Sequence, residues 1–160
     1  GFHHARNMEA VIENDRVIEH DAVINMLPRL TRKSVQYLES RKNNPKPFFL
    51  YVPLGSPHTP IVPSTEWQGK SGLGSYGDFV MQTDNVLAEI NAALKKNSQF
   101  HNTLLIFTSD NGAEKKLDGV STGPFRGKKG STYEGGHRVP FIVSWPKNTP
   151  KGKVDNVFYL

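Results

Sequence analysis

The chain contains no cysteine. That absence excludes thiol catalysis, disulfides and cysteine-based zinc sites within these residues. No stretch approaches the roughly 18 consecutive apolar residues that a membrane-spanning helix needs. Internal repeats and low-complexity tracts are missing as well. There is no Walker A loop, because five residues after Gly123 the sequence has Lys128 where the motif requires its second glycine. A nucleic-acid footprint is also lacking. It would need a wide basic surface with interleaved aromatics, and only Phe125 and Tyr133 lie near the basic cluster Arg126, Lys128 and Lys129.

What is present fits one domain: 160 residues, of which 36% are hydrophobic. The formal net charge of +5 comes from scattered lysines plus that one cluster. Such an excess reads either as a solvated surface or as attraction for anionic substrates. His3-His4 is a poor metal pair, since adjacent side chains rarely point at one centre. The run from Asp155 to Leu160 reads as a strand or loop cut short, so the chain is expected to be part of a longer protein.

Along the chain, residues 1–25 show weak periodicity and read as irregular, with turn-like Glu13-Asn14-Asp15. Leu30, Val35 and Leu38 recur at near-helical spacing, which predicts a helix starting at Pro28 and ending near Arg41. Phe48-Phe49-Leu50-Tyr51-Val52 is a continuous apolar run of strand length. Its lack of alternation predicts a strand buried on both faces of a parallel sheet. Four prolines and four glycines make the stretch from Pro53 to Gly74 a loop. From Tyr76 to Lys96 the pattern is helical, with Phe79, Val80, Val86, Leu87, Ile90 and Leu94 on one face. Strands are expected from Thr103 to Thr108 and from Val139 to Trp145, with Pro140 at an edge or a strand start. The stretch from Asp110 to Gly136 reads as loop. This order predicts an α/β fold with parallel strands. Ligands would then bind beyond the carboxyl ends of the strands, where the loops after Val52, Thr108 and Trp145 should gather.

Three segments could carry chemistry. In Ser109-Asp110-Asn111-Gly112, a carboxylate and an amide carbonyl stand side by side just past a buried strand. They are oxygen ligands suited to a hard divalent cation, although Asn-Gly also makes a plain tight turn. In Ser56-Pro57-His58-Thr59-Pro60, two prolines stiffen a loop around one imidazole. That group can give a proton to a leaving oxygen or bind an oxyanion, or it can simply be a surface histidine. In the run from Arg126 to Gly136, glycines allow close backbone approach and lysines supply positive charge for an anion; a flexible basic loop has the same composition. Asp84 and Glu89 read as solvated or capping charges of the long helix.

Taken in order, these pieces resemble the type I sulfatase (arylsulfatase-like) family. Pro47-Phe48-Phe49-Leu50-Tyr51-Val52 with Pro57-His58-Thr59-Pro60 resembles its strand and histidine loop. Tyr76-Gly77-Asp78-Phe79-Val80 with Asp84 resembles the helix that follows. The run from Asn102 through Ser109-Asp110-Asn111-Gly112 resembles its metal-binding strand end. The run from Arg126 through Tyr133-Glu134-Gly135-Gly136-His137-Arg138-Val139-Pro140-Phe141 resembles its downstream signature. The similarity extends from about Leu30 to Pro146.

The resemblance implies a three-layer, alkaline-phosphatase-like α/β fold with a mostly parallel central sheet, and hydrolysis of sulfate esters. It implies calcium, or another divalent cation, held in part by Asp110 and Asn111. It places the sulfate-binding lysine at Lys129 and the histidine near the leaving oxygen at His58. The family's nucleophile is a formylglycine matured from Cys or Ser in a Cys/Ser-x-Pro-x-Arg motif, and that motif is absent here. So are its N-terminal Asp pair and its second lysine and histidine. The chain is therefore expected to be an internal part of one catalytic domain, inactive alone, with the formylglycine region upstream and a C-terminal subdomain downstream. Implied partners are a sulfated small molecule or glycan and the formylglycine-generating enzyme, with no nucleic acid. Export to a periplasm, a lysosome or the medium is implied by family only. Two other functions fit the same residues: a phosphoryl or phosphonate ester hydrolase of the same superfamily, and a non-catalytic binder of sulfated glycans.

Overall fold

The computed structural model describes residues 8–114, 122–149 and 152. His3, His4 and residues 155–160 lie outside them. The chain opens with a hairpin, β1 (Met8–Glu13) against β2 (Arg16–Ala22), where irregular chain was expected. Its turn is Asn14-Asp15, both at positive φ, 48° and 65°. Two such residues make the two-residue turn whose twist matches paired strands. Helix α1 (Val23–Ser40) follows directly and contains Pro28 instead of starting at it. Its buried residues are Leu27, Thr31, Ser34 and Leu38. The Thr31 and Ser34 hydroxyls are tolerated there because they donate to the carbonyls of Leu27 and Leu30, at 2.8 Å each.

Helix α2 (Gly74–Lys96) packs along α1. Leu38, Ala93 and Leu94 form one core cluster, with Phe48, Leu50, Phe100 and Leu105 against it. Leu27, Phe79 and Val86 form a second, with Leu54 and Ile61. Burying Leu38 and Leu94 stabilises the helix pair by about 1.5–3 kcal/mol each. Val80, expected on the inward face of α2, points to solvent. Carbonyls at the end of α1 accept backbone N–H groups of Arg41 and Asn44, and side chains after α2 add a second donor to each. Asn97 Nδ2 donates to Leu38 O at 2.8 Å, and Gln99 Nε2 to Arg41 O at 3.0 Å.

Two expectations about strands are corrected. The segment from Phe48 to Val52 joins no ladder among the described residues. Nor is it buried on both sides: Phe48 and Leu50 pack on the helices, while Phe49 and Tyr51 are 89% and 74% exposed. Its uninterrupted apolar run conceals an alternation. Strands β3 (Leu105–Thr108) and β4 (Phe141–Ser144) do pair, but antiparallel, with Thr108 opposite Phe141 and Leu105 opposite Ser144. The loop after Trp145 therefore leaves from the end of β4 opposite to the one where β3 delivers Asp110. The intervening residues instead leave and re-enter the sheet at one edge. Within them lies a short helix, α3 (Glu134–His137), where only loop was expected.

Candidate active site

The edge between Thr108 and Phe141 is built by close backbone packing. Gly112 N–H donates to Gly136 O at 2.9 Å, and Gly135 N–H to Arg126 O at 2.8 Å. Gly135 and Gly136 are buried. A Cβ at Gly112 would collide with the Gly135 carbonyl, and one at Gly136 with the Ser131 carbonyl. Glycine at these positions lets backbone meet backbone, where a ligand's approach was the expected use. The result fixes Lys129, whose N–H donates to Ala113 O at 2.9 Å. The sequence-predicted lysine is thus hydrogen-bonded to chain two residues past Asn111, so Lys129 and the Asp110-Asn111 pair share one edge.

Asp110 is exposed and Asn111 half-buried. Asn111 Nδ2 donates to Gly112 O at 3.0 Å, which leaves its carbonyl oxygen as the group able to face a ligand. A carboxylate and an amide oxygen fit a hard cation as two of the six to eight oxygens that calcium takes. Among the described residues there is no cluster of three or more His, Asp or Glu able to hold a metal.

Lys129 Nζ lies 3.9 Å from Glu114 Oε2, with both side chains mostly covered. Tyr76, at the start of α2, has its pKa raised by burial and then by the negative charge of Glu114. The rest of the basic cluster is not a uniform patch. The Arg126 guanidinium sits 3.9 Å over the Tyr133 ring, and that of Arg138 sits 4.5 Å over Phe125 while also meeting Glu134 at 3.0 Å.

His58 stands on its own loop, exposed, with its N–H donating to Gly55 O at 3.2 Å. Its Nδ1 is 2.7 Å from Thr59 O. A carbonyl only accepts, so this contact assigns the donor role to Nδ1, and no hydrogen bond to Nε2 is among those of the described residues. The loop is moored to α2 by Ser56 Oγ, 2.8 Å from Thr83 Oγ1, and by Gln82, which accepts from Ser64 N–H at 2.9 Å and donates to its hydroxyl at 3.0 Å. The hydrogen bonds of His58 stay within its loop, and none joins it to Asp110, Asn111 or Lys129 among the described residues. Thr83 and Tyr76 lie two turns apart on α2, about 10 Å, so one helix serves both the histidine loop and Glu114. Sequence reasoning gave no role to Glu114 or Thr83, and read Ser56 only as part of the histidine segment. The carboxylate three residues beyond Asn111 was a visible signal for Glu114, whereas nothing local marked Thr83.

Comparison with known proteins places the chain in a family. The sequence model of the Sulfatase family matches residues 14–159. An N-acetylgalactosamine-6-O-sulfatase of Bacteroides thetaiotaomicron is 40% identical over 140 residues, covering 81% of this chain and 27% of that protein. The N-acetylgalactosamine-6-sulfatase of Canis lupus familiaris is 35% identical, covering 82% of this chain and 26% of its own length. The solved structure of Ps i-CgsB in complex with k-i-k-neocarrahexaose superposes with a TM-score of 0.79 at 34% identity, over 90% of this chain and 33% of that one. The chain thus spans about a quarter of the curated relatives it matches. With a family match that runs over nearly its whole length, the chain belongs to the sulfatase family.

Proposed function

We propose that the complete protein hydrolyses sulfate esters and that its substrate is a sulfated glycan, with 6-O-sulfated N-acetylgalactosamine as the leading candidate. The observation that carries the reaction is the Lys129–Ala113 backbone bond, which holds an anion-binding lysine beside an oxygen-ligand pair. The glycan assignment rests on relatives named for N-acetylgalactosamine 6-sulfate and on a structural neighbour holding an oligosaccharide. In this reading residues 1–160 are part of one catalytic domain, three-layered with a mostly parallel sheet. The formylglycine region and a C-terminal subdomain belong to the remainder, and the protein is exported.

When bound, calcium would supply positive charge at the sulfate oxygens, and a formylglycine hydrate the attacking hydroxyl. The residues of this chain do the rest. Asp110 and Asn111 donate oxygens to the cation. Lys129 draws the singly charged sulfate ester into the edge and offsets charge that builds on its oxygens as the ester bond breaks. His58, protonated at both nitrogens, gives its Nε2 proton to the departing sugar oxygen, and the Thr59 carbonyl keeps the ring oriented through Nδ1. The test is release of inorganic sulfate from defined sulfated glycans by the purified full-length protein. Release from 6-O-sulfated N-acetylgalactosamine is expected. No release from any sulfated glycan or from a chromogenic aryl sulfate would overturn the reading.

A further inference from the structure

We infer that Glu114 is a specificity-determining residue that favours singly charged sulfate esters over doubly charged phosphate esters at the Lys129 clamp; this rests on the function proposed above. The Glu114 carboxylate is 3.9 Å from Lys129 Nζ. An ester oxygen held by the same ammonium sits about 2.8 Å from it, so the bound anion and the carboxylate lie within about 7 Å of each other. Both side chains are mostly withdrawn from water, at 32% and 24% exposure, so their charges are only partly screened. The Tyr76 hydroxyl, where α2 begins, has its pKa raised by burial and then by the charge of the same carboxylate.

A carboxylate so placed does two things. With no substrate bound it neutralises Lys129, which lowers the cost of keeping a partly covered ammonium. With substrate bound it repels the anion, and the repulsion scales with the anion's charge. A sulfate monoester carries one negative charge, whereas a phosphate monoester carries close to two at neutral pH. The second charge meets a repulsion worth a factor on the order of ten in affinity at such a separation in a partly screened site. The lysine alone would favour the more highly charged anion, and Glu114 reduces that preference.

The experiment uses the full-length protein with three ligands that share one leaving group: para-nitrophenyl sulfate, para-nitrophenyl phosphate, and a para-nitrophenyl phosphonate monoester. The last contains phosphorus but carries a single charge. Glu114→Gln is expected to tighten competitive inhibition by the phosphate by about tenfold relative to its effect on the sulfate KM. The phosphonate should follow the sulfate, and Glu114→Asp should keep the wild-type ratio. Equal shifts for all three ligands, or an unchanged phosphate-to-sulfate ratio in Glu114→Gln, would overturn the assignment. Should Glu114→Gln not fold, Glu114→Ala is read by the same ratios, and an unchanged phosphate-to-sulfate ratio there refutes the proposal equally. Wild-type turnover of the sulfate reports separately on the underlying reaction.

Discussion

Thr83 is a buried hydroxyl with two partners, Phe79 O at 2.7 Å and Ser56 Oγ at 2.8 Å. It has one proton to give, so when Phe79 takes it the Ser56 hydroxyl supplies the other bond. Thr83→Val keeps the shape and removes both contacts. A loss of about 1 kcal/mol in unfolding free energy is expected in the full-length protein, with a severalfold lower turnover as the His58 loop loosens. Unchanged turnover at lowered stability would show that the mooring does not reach the histidine. Asp78, only 3% exposed, accepts the backbone N–H groups of Gly69 and Ser71 at 2.8 Å each. The Ser71 N–H, the Ser71 side chain and the Gly69 N–H hold its carboxyl below the usual carboxylate range. A depressed folded pKa stabilises the protein above the unfolded value of about 3.9, and the gain is lost as pH falls through the lower folded value. A plot of melting temperature against pH should therefore fall more steeply on the acid side in the wild type than in Asp78→Asn, which should melt a few degrees lower at neutral pH. Parallel curves would remove this carboxyl from the account.

Among the elements, the glycine-bound edge has no room for an added side chain. Gly112→Ala should displace the segment carrying Lys129, because the added methyl meets the Gly135 carbonyl. At least a tenfold loss of kcat/KM is expected, the scale on which a misplaced positioning element acts. Wild-type activity would mean that this backbone contact does not set the site. In the helical layer, Leu94→Ala should cost about 2–5 kcal/mol, read by denaturant unfolding, since Leu94 is 2% exposed between α1 and the chain beneath. The sequence made some elements legible and hid others for physical reasons. Helix α2 and strands β3 and β4 were visible because apolar period and length agree there. The start of α1 was not, since Thr31 and Ser34 interrupt its buried stripe and Pro28 resembles a helix start. The hairpin was missed although Asn14-Asp15 was read as a turn. Its strands expose Ile12 and Val17 across from one another, so no clean inward face announces them. Antiparallel pairing of β3 with β4 was hidden by the long site loop, which spans enough residues to suit a crossover.

At the scale of the whole molecule, apolar side chains of the β3–β4 pair and of the segment before α2 lie open among the described residues. Phe49 and Tyr51 face away from the helices, and Ile106, Phe141 and Val143 are 52%, 57% and 42% exposed. Apolar surface of that extent marks a contact face. The 160-residue chain expressed alone is expected to bind a hydrophobic dye that the full-length protein does not. Equal binding by both would mean that the remainder of the protein leaves this face open. Of the proposed site, Asp110, Asn111, Lys129 and His58 were candidates from the sequence because each lies in a motif of fixed local spacing, and the structure adds that Lys129 is bonded to the chain just past Asn111. The carboxylate opposing Lys129 was not a candidate, since its role depends on a contact across the loop. The central claim is that Asp110 and Lys129 stabilise charge in one reaction. Its most direct measurement is steady-state turnover of a sulfate ester by the full-length protein and by its Asp110→Ala and Lys129→Ala variants, each checked for folding. Each substitution is expected to lower kcat/KM by roughly a hundredfold or more, the scale for removing a preorganised charge-stabilising group. Rates near those of the wild type in both folded variants would contradict the account.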